Sequence, residues 1–416
     1  MTRHVIIGNG PAGVVAAETL RRADAAAEIT LIGDEAEPPY SRMAIPYLLM
    51  GQIDEAGTYL RKNAEHFERL RIRMLRGRVE AIDSGARSLR LADGQLLPYD
   101  RLLIASGAQP VRPPVPGIDL PKVWSCWTLA DARMIAAGIG RGVRVLQMGA
   151  GFIGCIIMES LAARGPQLTV VEMGDRMVPR MLDAVAGAML RRWCEARGVR
   201  VLTGRRVVAI AAAGEALRVQ LDDGETLEVD ALISATGVRP NIAFLYGSGV
   251  AVDAGVLVDA SMQTSVAGIY AAGDVAEAVE FGTGLRVVNA IQPDAVEQAR
   301  VAALHMAGQP AVLPGTFVFN ILDTLGLISA SFGQWQGVAG GESVQLLDEA
   351  GFRYLRLAFD GDRLVGANCI GHTEHIGVLR GLIQGQVRLG EWKDRLLANP
   401  LQLSEAYLAR GLAMAH

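Results

Sequence analysis

Short apolar runs that stop on glycine set the rhythm of this chain. Val5-Ile6-Ile7 leads straight into Gly8-Asn9-Gly10-Pro11-Ala12-Gly13. Val143-Arg144-Val145-Leu146-Gln147-Met148 leads into Gly149-Ala150-Gly151-Phe152-Ile153-Gly154. Apolar runs bounded by glycine predict strands, and the residues after each glycine cluster predict a helix. Strand-like and helix-like runs alternate through about the first 245 residues, the pattern of βαβ units. The stretch Gln109-Pro110-Val111-Arg112-Pro113-Pro114-Val115-Pro116-Gly117 is too rich in proline for regular helix or central strand. It predicts a crossing between two domains. A second crossing is predicted near Arg239-Pro240-Asn241, and from Pro314 the pattern changes. Phe352-Arg353-Tyr354-Leu355-Arg356-Leu357 and Arg363-Leu364-Val365-Gly366-Ala367, bridged by Asp360-Gly361-Asp362, predict an antiparallel hairpin. Helical pattern returns from His375 to the end.

The two glycine clusters have the spacing of dinucleotide-binding turns. In such a turn the first glycine makes the bend out of the strand. The second lets the backbone approach a pyrophosphate, and the third lets the helix pack on the strand. The pyrophosphate then meets free N–H groups at the helix N-terminus. An acidic residue about 20 positions on holds ribose hydroxyls. Thr30-Leu31-Ile32-Gly33 runs into Asp34 and Glu35, and Leu168-Thr169-Val170-Val171 ends at Glu172. Strand, spacing and acid recur together, so one chain is expected to bind two dinucleotides. That arrangement suits hydride transfer between a nicotinamide and a flavin.

Composition narrows the setting. A chain of 416 residues is too long for one core, and two or three domains are expected. A net charge of −4 gives no reason to expect nucleic acid. The four cysteines, Cys126, Cys155, Cys194 and Cys369, form no C-x-x-C pair, which argues for a reducing compartment and against a dithiol site. A first strand predicted from residue 4 argues against a signal peptide, and no apolar run is long enough to span a bilayer. A cytoplasmic protein that does not enter membranes is expected.

A third marker is Thr264-Ser265-Val266-Ala267-Gly268-Ile269-Tyr270-Ala271-Ala272-Gly273-Asp274. It resembles the second flavin-binding motif of the FAD-dependent pyridine nucleotide oxidoreductases. The resemblance covers the whole chain. It implies an α/β fold with two Rossmann-like dinucleotide-binding domains in the glutathione-reductase-like arrangement, followed by a C-terminal α+β interface domain. It implies a split FAD domain at residues 1–112 and 247–313, an NAD domain at 113–246 and an interface domain at 314–416. Asp274, after Gly273, would hydrogen-bond the ribityl chain of FAD. Leu102-Leu103-Ile104-Ala105-Ser106-Gly107 and Leu232-Ile233-Ser234-Ala235-Thr236-Gly237 look like the strands that return beside the FAD and NAD sites. Pro38-Pro39-Tyr40-Ser41-Arg42 resembles the PY-x-R element of the cysteine-free branch, which holds ferredoxin and rubredoxin reductases and the flavin portion of nitrite reductases. Arg42 would contact the FAD pyrophosphate, the alternative being a surface arginine.

The chain departs from the family pattern in three places. Residues 40–50 contain no cysteine, so disulfide exchange with a substrate is not expected. The lysine and glutamate that pair in many oxygenase-coupled reductases are replaced by Tyr47 and Ile156, and Glu159 lies one helical turn further on. Phe317-Val318-Phe319-Asn320-Ile321-Leu322-Asp323 lacks the tryptophans of a WFWS cluster. These departures favour a general ferredoxin or rubredoxin partner over a dedicated oxygenase.

The resemblance therefore implies an FAD-dependent enzyme passing electrons between NADH and an iron–sulfur protein or partner subunit. An NADH oxidase using O2, and a flavin-bound electron-transfer or sensing subunit, stand as alternatives. No catalytic side chain is assigned. Tyr47 and Ile156 are expected nearest the nicotinamide, or else serve as packing. NADH is expected over NADPH, because Glu172 and Asp175 would repel a 2′-phosphate, with Arg176 as the counterargument. A homodimer joined through the tail is left open. Cys369, His372 and His375 are spaced three apart with Glu374 between, but a fourth ligand is not evident, and no metal is expected. Residues 65–73 read as a charged helix leading into an edge strand, taken as a solvated face. Gln292-Pro293-Asp294 resembles the start of the family helix whose N-terminus faces the flavin.

Overall fold

The computed structural model describes residues 1–411. The chain divides into two compact units. One joins Met1–Gln109 to Val238–Phe317, and the other joins Pro110–Gly237 to the chain from Val318 onward.

The first unit is built on a five-stranded parallel sheet. Its order is Ile269–Ala271, Arg101–Ile104, Arg3–Ile7, Glu28–Gly33, Ile72–Arg76. Ile6, Leu31, Leu102, Leu103 and Ala271 are fully buried, as the apolar strands of a sheet covered on both faces must be. The helix Pro11–Ala23 starts on a proline, whose missing N–H is no loss at the first helical position. It packs against the helix Gln292–Met306. The charged helix His66–Arg69 leads into the edge strand Ile72–Arg76.

The second unit repeats this plan. Its parallel order is Arg200–Thr203, Gln167–Glu172, Arg144–Met148, Ala231–Ser234, Val123–Ser125. The repetition reaches single ion pairs. Asp100, just before its strand, accepts from the Arg3 backbone N–H at 2.8 Å and from the Arg3 guanidinium. Asp230, just before the matching strand, does the same with Arg144.

The alternation of strand and helix is broken in both units, contrary to expectation. Val79–Asp83, Ser88–Leu91 and Leu96–Pro98 form an antiparallel meander, as do Val207–Ala213, Ala216–Leu221 and Thr226–Val229. Asp93-Gly94 and Asp223-Gly224 make the turns, with Gly94 at φ +85° and Gly224 at φ +90°. The buried positions of Ala216–Leu221 largely alternate along the strand, because only one face of a meander is covered.

The second unit also holds a five-stranded antiparallel sheet of order Phe319–Thr324, Leu327–Gly333, Arg363–Ile370, Arg353–Asp360, Glu342–Asp348. The expected hairpin is the pair Arg353–Asp360 and Arg363–Ile370, and the helices Ile376–Gln384, Trp392–Ala398 and Leu403–Gly411 follow. This sheet is fastened to the nucleotide fold of its own unit. The Tyr354 hydroxyl donates to Asp183 at 2.6 Å, Asn368 Nδ2 donates to the Met181 carbonyl at 2.7 Å, and Trp193 Nε1 donates to the Leu325 carbonyl at 3.1 Å.

Candidate functional site

Each glycine of the two clusters meets a different physical demand, and both clusters solve it the same way. Gly8 has φ +109°, and a Cβ there would lie 2.0 Å from the Ala105 carbonyl oxygen. Gly149 has φ +104°, and its Cβ would lie 2.3 Å from the Ala235 oxygen. Only glycine fits such a conformation and so close an approach. A Cβ on Gly13 would meet the Gly8 oxygen at 1.8 Å, and one on Gly154 the Gly149 oxygen at 2.5 Å. At Gly10 and Gly151 a Cβ would meet no protein atom within 4 Å. Nothing in the fold requires glycine at these two positions, and the open space is where a pyrophosphate would approach. Gly8 N–H donates to the Ile32 carbonyl and Gly149 N–H to the Val171 carbonyl, both at 2.8 Å.

The acids beyond the second strands are used differently. Glu172 turns back on its own glycine turn, accepting Ala150 N–H at 2.6 Å and Gly174 N–H at 2.7 Å. Its remaining lone pairs suit ribose hydroxyls. In the first unit Asp34 makes an exposed pair with Arg78. Glu35 pairs with Arg42 at 2.7 Å and accepts the Tyr40 hydroxyl.

Around the first cradle the returning segments converge. Ala105 N–H donates to the Ile7 carbonyl at 2.8 Å, and Ser106 and Asn241 exchange two hydrogen bonds of 2.9 Å. Gly107 is at φ +64°. A Cβ on Gly273 would meet Ala12 at 3.2 Å and Ala295 at 3.5 Å, so the loop of Asp274 lies against the starts of both helices. Burial pushes the Asp274 carboxyl up, and the Arg42 charge and its own backbone partly offset this. Among the described residues, no other residue satisfies this carboxylate by hydrogen bond. An acceptor left open beside a phosphate cradle fits a polyhydroxyl chain such as that of FAD.

Residues 2–305 match the family described as pyridine nucleotide-disulphide oxidoreductase. The chain belongs to this family. It is 34% identical over 413 residues to the NADH-dependent phenylglyoxylate dehydrogenase subunit epsilon of Aromatoleum evansii, covering 98% of both chains. It is 35% identical over 390 residues to the ferredoxin--NAD(+) reductase component of the anthranilate 1,2-dioxygenase system of Burkholderia cepacia, covering 91% of this chain and 93% of the relative. The crystal structure of the ferredoxin reductase for the CYP199A2 system from Rhodopseudomonas palustris matches with a TM-score of 0.84 at 27% identity, covering 91% of this chain and 94% of that one. FAD and NAD(H) are the cofactors of the family.

In this family member the thiols are out of play. All four cysteines are buried. Burial raises the Cys126, Cys194 and Cys369 thiols to about 12 and drives Cys155 up as well. His372 Nδ1 is 3.2 Å from Arg353, and His375 Nδ1 is 3.2 Å from the Ser404 hydroxyl. Among the described residues no group of three or more His, Cys, Asp or Glu could hold a metal ion, and no helix is long and apolar enough to cross a membrane.

Other expected site residues fall as follows. Phe152 and Ile153 open the helix Phe152–Ala162 with Gly151 as its cap, and Ile156 is half-buried on it. Burial and the charge of Asp323 raise the Glu159 carboxyl on the same helix. Tyr47 is 51% exposed in the first unit. Thr236 donates to the Val111 carbonyl at 3.2 Å, and Val111 N–H donates to the Gly237 carbonyl at 2.9 Å. Arg176 is fully engaged, with Asp175 at 2.8 Å, the Leu182 carbonyl at 2.9 Å and the Pro179 carbonyl at 3.4 Å.

Sequence reasoning missed one cluster in the first unit. Asp294, 7% exposed near the start of the helix Gln292–Met306, accepts from Gln298 Nε2 at 2.8 Å and from the Thr316 hydroxyl at 3.3 Å. Gln298 Oε1 in turn accepts Gly273 N–H at 2.8 Å. The Pro-Asp helix start was the visible signal. Thr316, which closes the cluster, lies too far along the chain for any local pattern to reveal it.

Proposed function

We propose that this chain binds FAD in its first unit and NADH in its second, and passes electrons between NADH and an iron–sulfur centre of another protein or subunit. The proposed division is an FAD domain at residues 1–112 and 247–313, an NAD domain at 113–246 and an interface domain at 314–416. One observation carries the reading: two complete glycine cradles stand in a chain whose four thiols are all buried. Two cradles suit two dinucleotides. Without an accessible thiolate, a disulfide relay has no nucleophile, and electrons leave for an acceptor outside the chain.

When bound, FAD supplies hydride acceptance and single-electron release. The chain supplies position and charge. Gly8, Gly10 and Gly13, with Pro11 opening the helix and the free N–H groups that begin at Ala12, would receive the pyrophosphate. Arg42 would add positive charge there, moderated by its ion pair with Glu35, and Asp34 and Glu35 would hold ribose hydroxyls. Asp274 after Gly273 would accept from the ribityl chain, and Ala105, Ser106 and Gly107 would lie beside the FAD site. In the second unit Gly149, Gly151 and Gly154, with Phe152 and Ile153, receive the NADH pyrophosphate. Glu172 takes the ribose hydroxyls, and Thr236 and Gly237 close the edge. Arg176 is engaged by Asp175 and the Leu182 carbonyl, which supports NADH over NADPH. Tyr47 and Ile156 would pack nearest the nicotinamide, with Glu159 behind. Hydride transfer asks no proton of them.

The partner is an iron–sulfur protein of ferredoxin or rubredoxin type, or an iron–sulfur subunit of a larger assembly. Similarity over the full length to a dehydrogenase subunit supports the second form. Anaerobic mixing with NADH, followed by a ferredoxin, tests the whole reading. Bleaching of the flavin absorbance and its return on adding ferredoxin are expected. Bleaching that only O2 reverses would identify an oxidase, and failure to bleach would overturn the NADH assignment.

A further inference from the structure

The Asp294 cluster has no place in the reading above, yet it adjoins the first cradle. Its carboxyl is buried and its partners are neutral: Gln298, Thr316 and Asn289. The charged groups that face it, Glu297 on its own helix and Asp274 on the neighbouring loop, both carry its own sign. The Arg42 charge acts on Asp274, and the Arg42 guanidinium is paired with Glu35. A buried carboxylate among neutral donors and like charges is held close to its protonated form. Its pKa is accordingly pushed up to about 7, with burial as the largest cause.

The cluster is also wired to the cradle. Gln298 holds Asp294 with its amide nitrogen and the Gly273 N–H with its amide oxygen. Ser41, beside Arg42, donates to Gln292 at 2.9 Å in the first turn of the same helix. Negative charge arriving at a bound flavin would thus be felt at Asp294, through the Asp274 loop and the helix N-terminus.

We propose that Asp294 is a proton-exchanging positioning residue: its carboxylate takes up one proton from solvent as an electron pair from NADH arrives at the flavin, and returns it as the electrons leave. The electrons come from NADH and depart to the iron–sulfur acceptor. The proton goes from water to a carboxylate oxygen and back, so no further reactant is needed. The inference rests on FAD occupying the first unit.

The midpoint potential of the bound flavin, measured by spectroelectrochemical titration from about pH 5.5 to 9, reads the proton count directly. The FAD-loaded parent is expected to take up one more proton per electron pair than Asp294→Asn in a window that opens near pH 7 and extends upward. Identical slopes in the two proteins would overturn the proposal. Should Asp294→Asn fail to hold FAD, Thr316→Val carries the test. It removes a donor that favours the ionised carboxyl, so the break in slope must move to higher pH, and an unmoved break overturns the proposal. A parent protein that holds no FAD at all would sink the functional reading itself, and the absorbance spectrum shows this before any titration begins.

Discussion

Glu172 accepts the Ala150 N–H at 2.6 Å, so the acid expected to select the nicotinamide cofactor also braces the glycine turn that would bind it. A 2′-phosphate would meet a carboxylate that the turn holds in place. Two like charges at about 4 Å repel by roughly 1 kcal/mol in water and about 4 kcal/mol near a protein surface. NADH should therefore exceed NADPH in kcat/KM by roughly fivefold to a thousandfold. Steady-state dye reduction with each nucleotide measures this ratio. Glu172→Ala should narrow it while raising KM for NADH, because two backbone donors lose their acceptor. Equal efficiency of the two nucleotides with the parent protein would remove Glu172 from cofactor selection.

Gly10 and Gly151 allow folding and binding to be separated. A methyl group at either position meets no protein atom, so Gly10→Ala and Gly151→Ala should fold within about 0.5 kcal/mol of the parent. A methyl in the path of a pyrophosphate costs about 1–3 kcal/mol, or roughly 10- to 100-fold in affinity. Gly10→Ala should lose FAD and its yellow colour. Gly151→Ala should stay yellow and bind NADH weakly. Calorimetry on the apo-proteins and titration with each nucleotide check both halves.

The buried thiols give a chemical prediction. With Cys126, Cys194 and Cys369 raised to about 12 and Cys155 also raised well above the usual thiol range by burial, the native protein at pH 8 should react negligibly with a thiol-specific disulfide reagent. All four should react once the protein is unfolded. Prompt labelling of any one in the native state would reopen a thiol relay.

How much of this was readable beforehand follows from distance along the chain. The strands flanking Gly8 and Gly149, and the need for glycine at the first and third positions of each turn, are local patterns, and they were legible. So was the hairpin around Gly361, because turn and alternation sit together. The meanders at residues 79–98 and 207–229 were taken for further βαβ units. Short half-buried strands resemble helical segments until their Asp-Gly turns are given weight. The Asp294 cluster and the Tyr354–Asp183 bond were invisible, since each joins residues that only the fold brings together. The engagement of Arg176 by the Leu182 and Pro179 carbonyls was equally hidden.

Asn368 supplies a mechanical prediction within the second unit. It is fully buried, donates to the Met181 carbonyl at 2.7 Å, and accepts the Asp183 N–H at 3.3 Å. Asn368→Leu would strand a buried carbonyl and lose the donor that holds the tail sheet to the segment before the helix Ala184–Glu195. A cost of about 1–3 kcal/mol is expected in denaturant unfolding. Tyr354→Phe, which removes the neighbouring bond to Asp183, should cost less, about 1 kcal/mol. A cost within error for both would mean that these bonds do not fasten the sheet.

Asp294 sets a pH dependence whose sign opposes the usual one for a carboxylate. Its acidity is near 7 in the folded protein against about 3.9 in an unfolded chain. The folded state therefore binds more protons between these values, and its stability falls as pH rises from about 4 to about 7, then levels off. The difference corresponds to at most about 4 kcal/mol. Glu18, held low by Arg61 and His66, works in the other direction, adding stability that is lost as the medium turns acid. That contribution is common to the parent and Asp294→Asn, so the difference between the two apo-proteins isolates Asp294. Urea unfolding at intervals from pH 4 to 8 should show the parent losing stability relative to the variant over this range. A constant difference would mean that the Asp294 carboxyl stays ionised throughout, stabilised by the helix N-terminus more than burial opposes it.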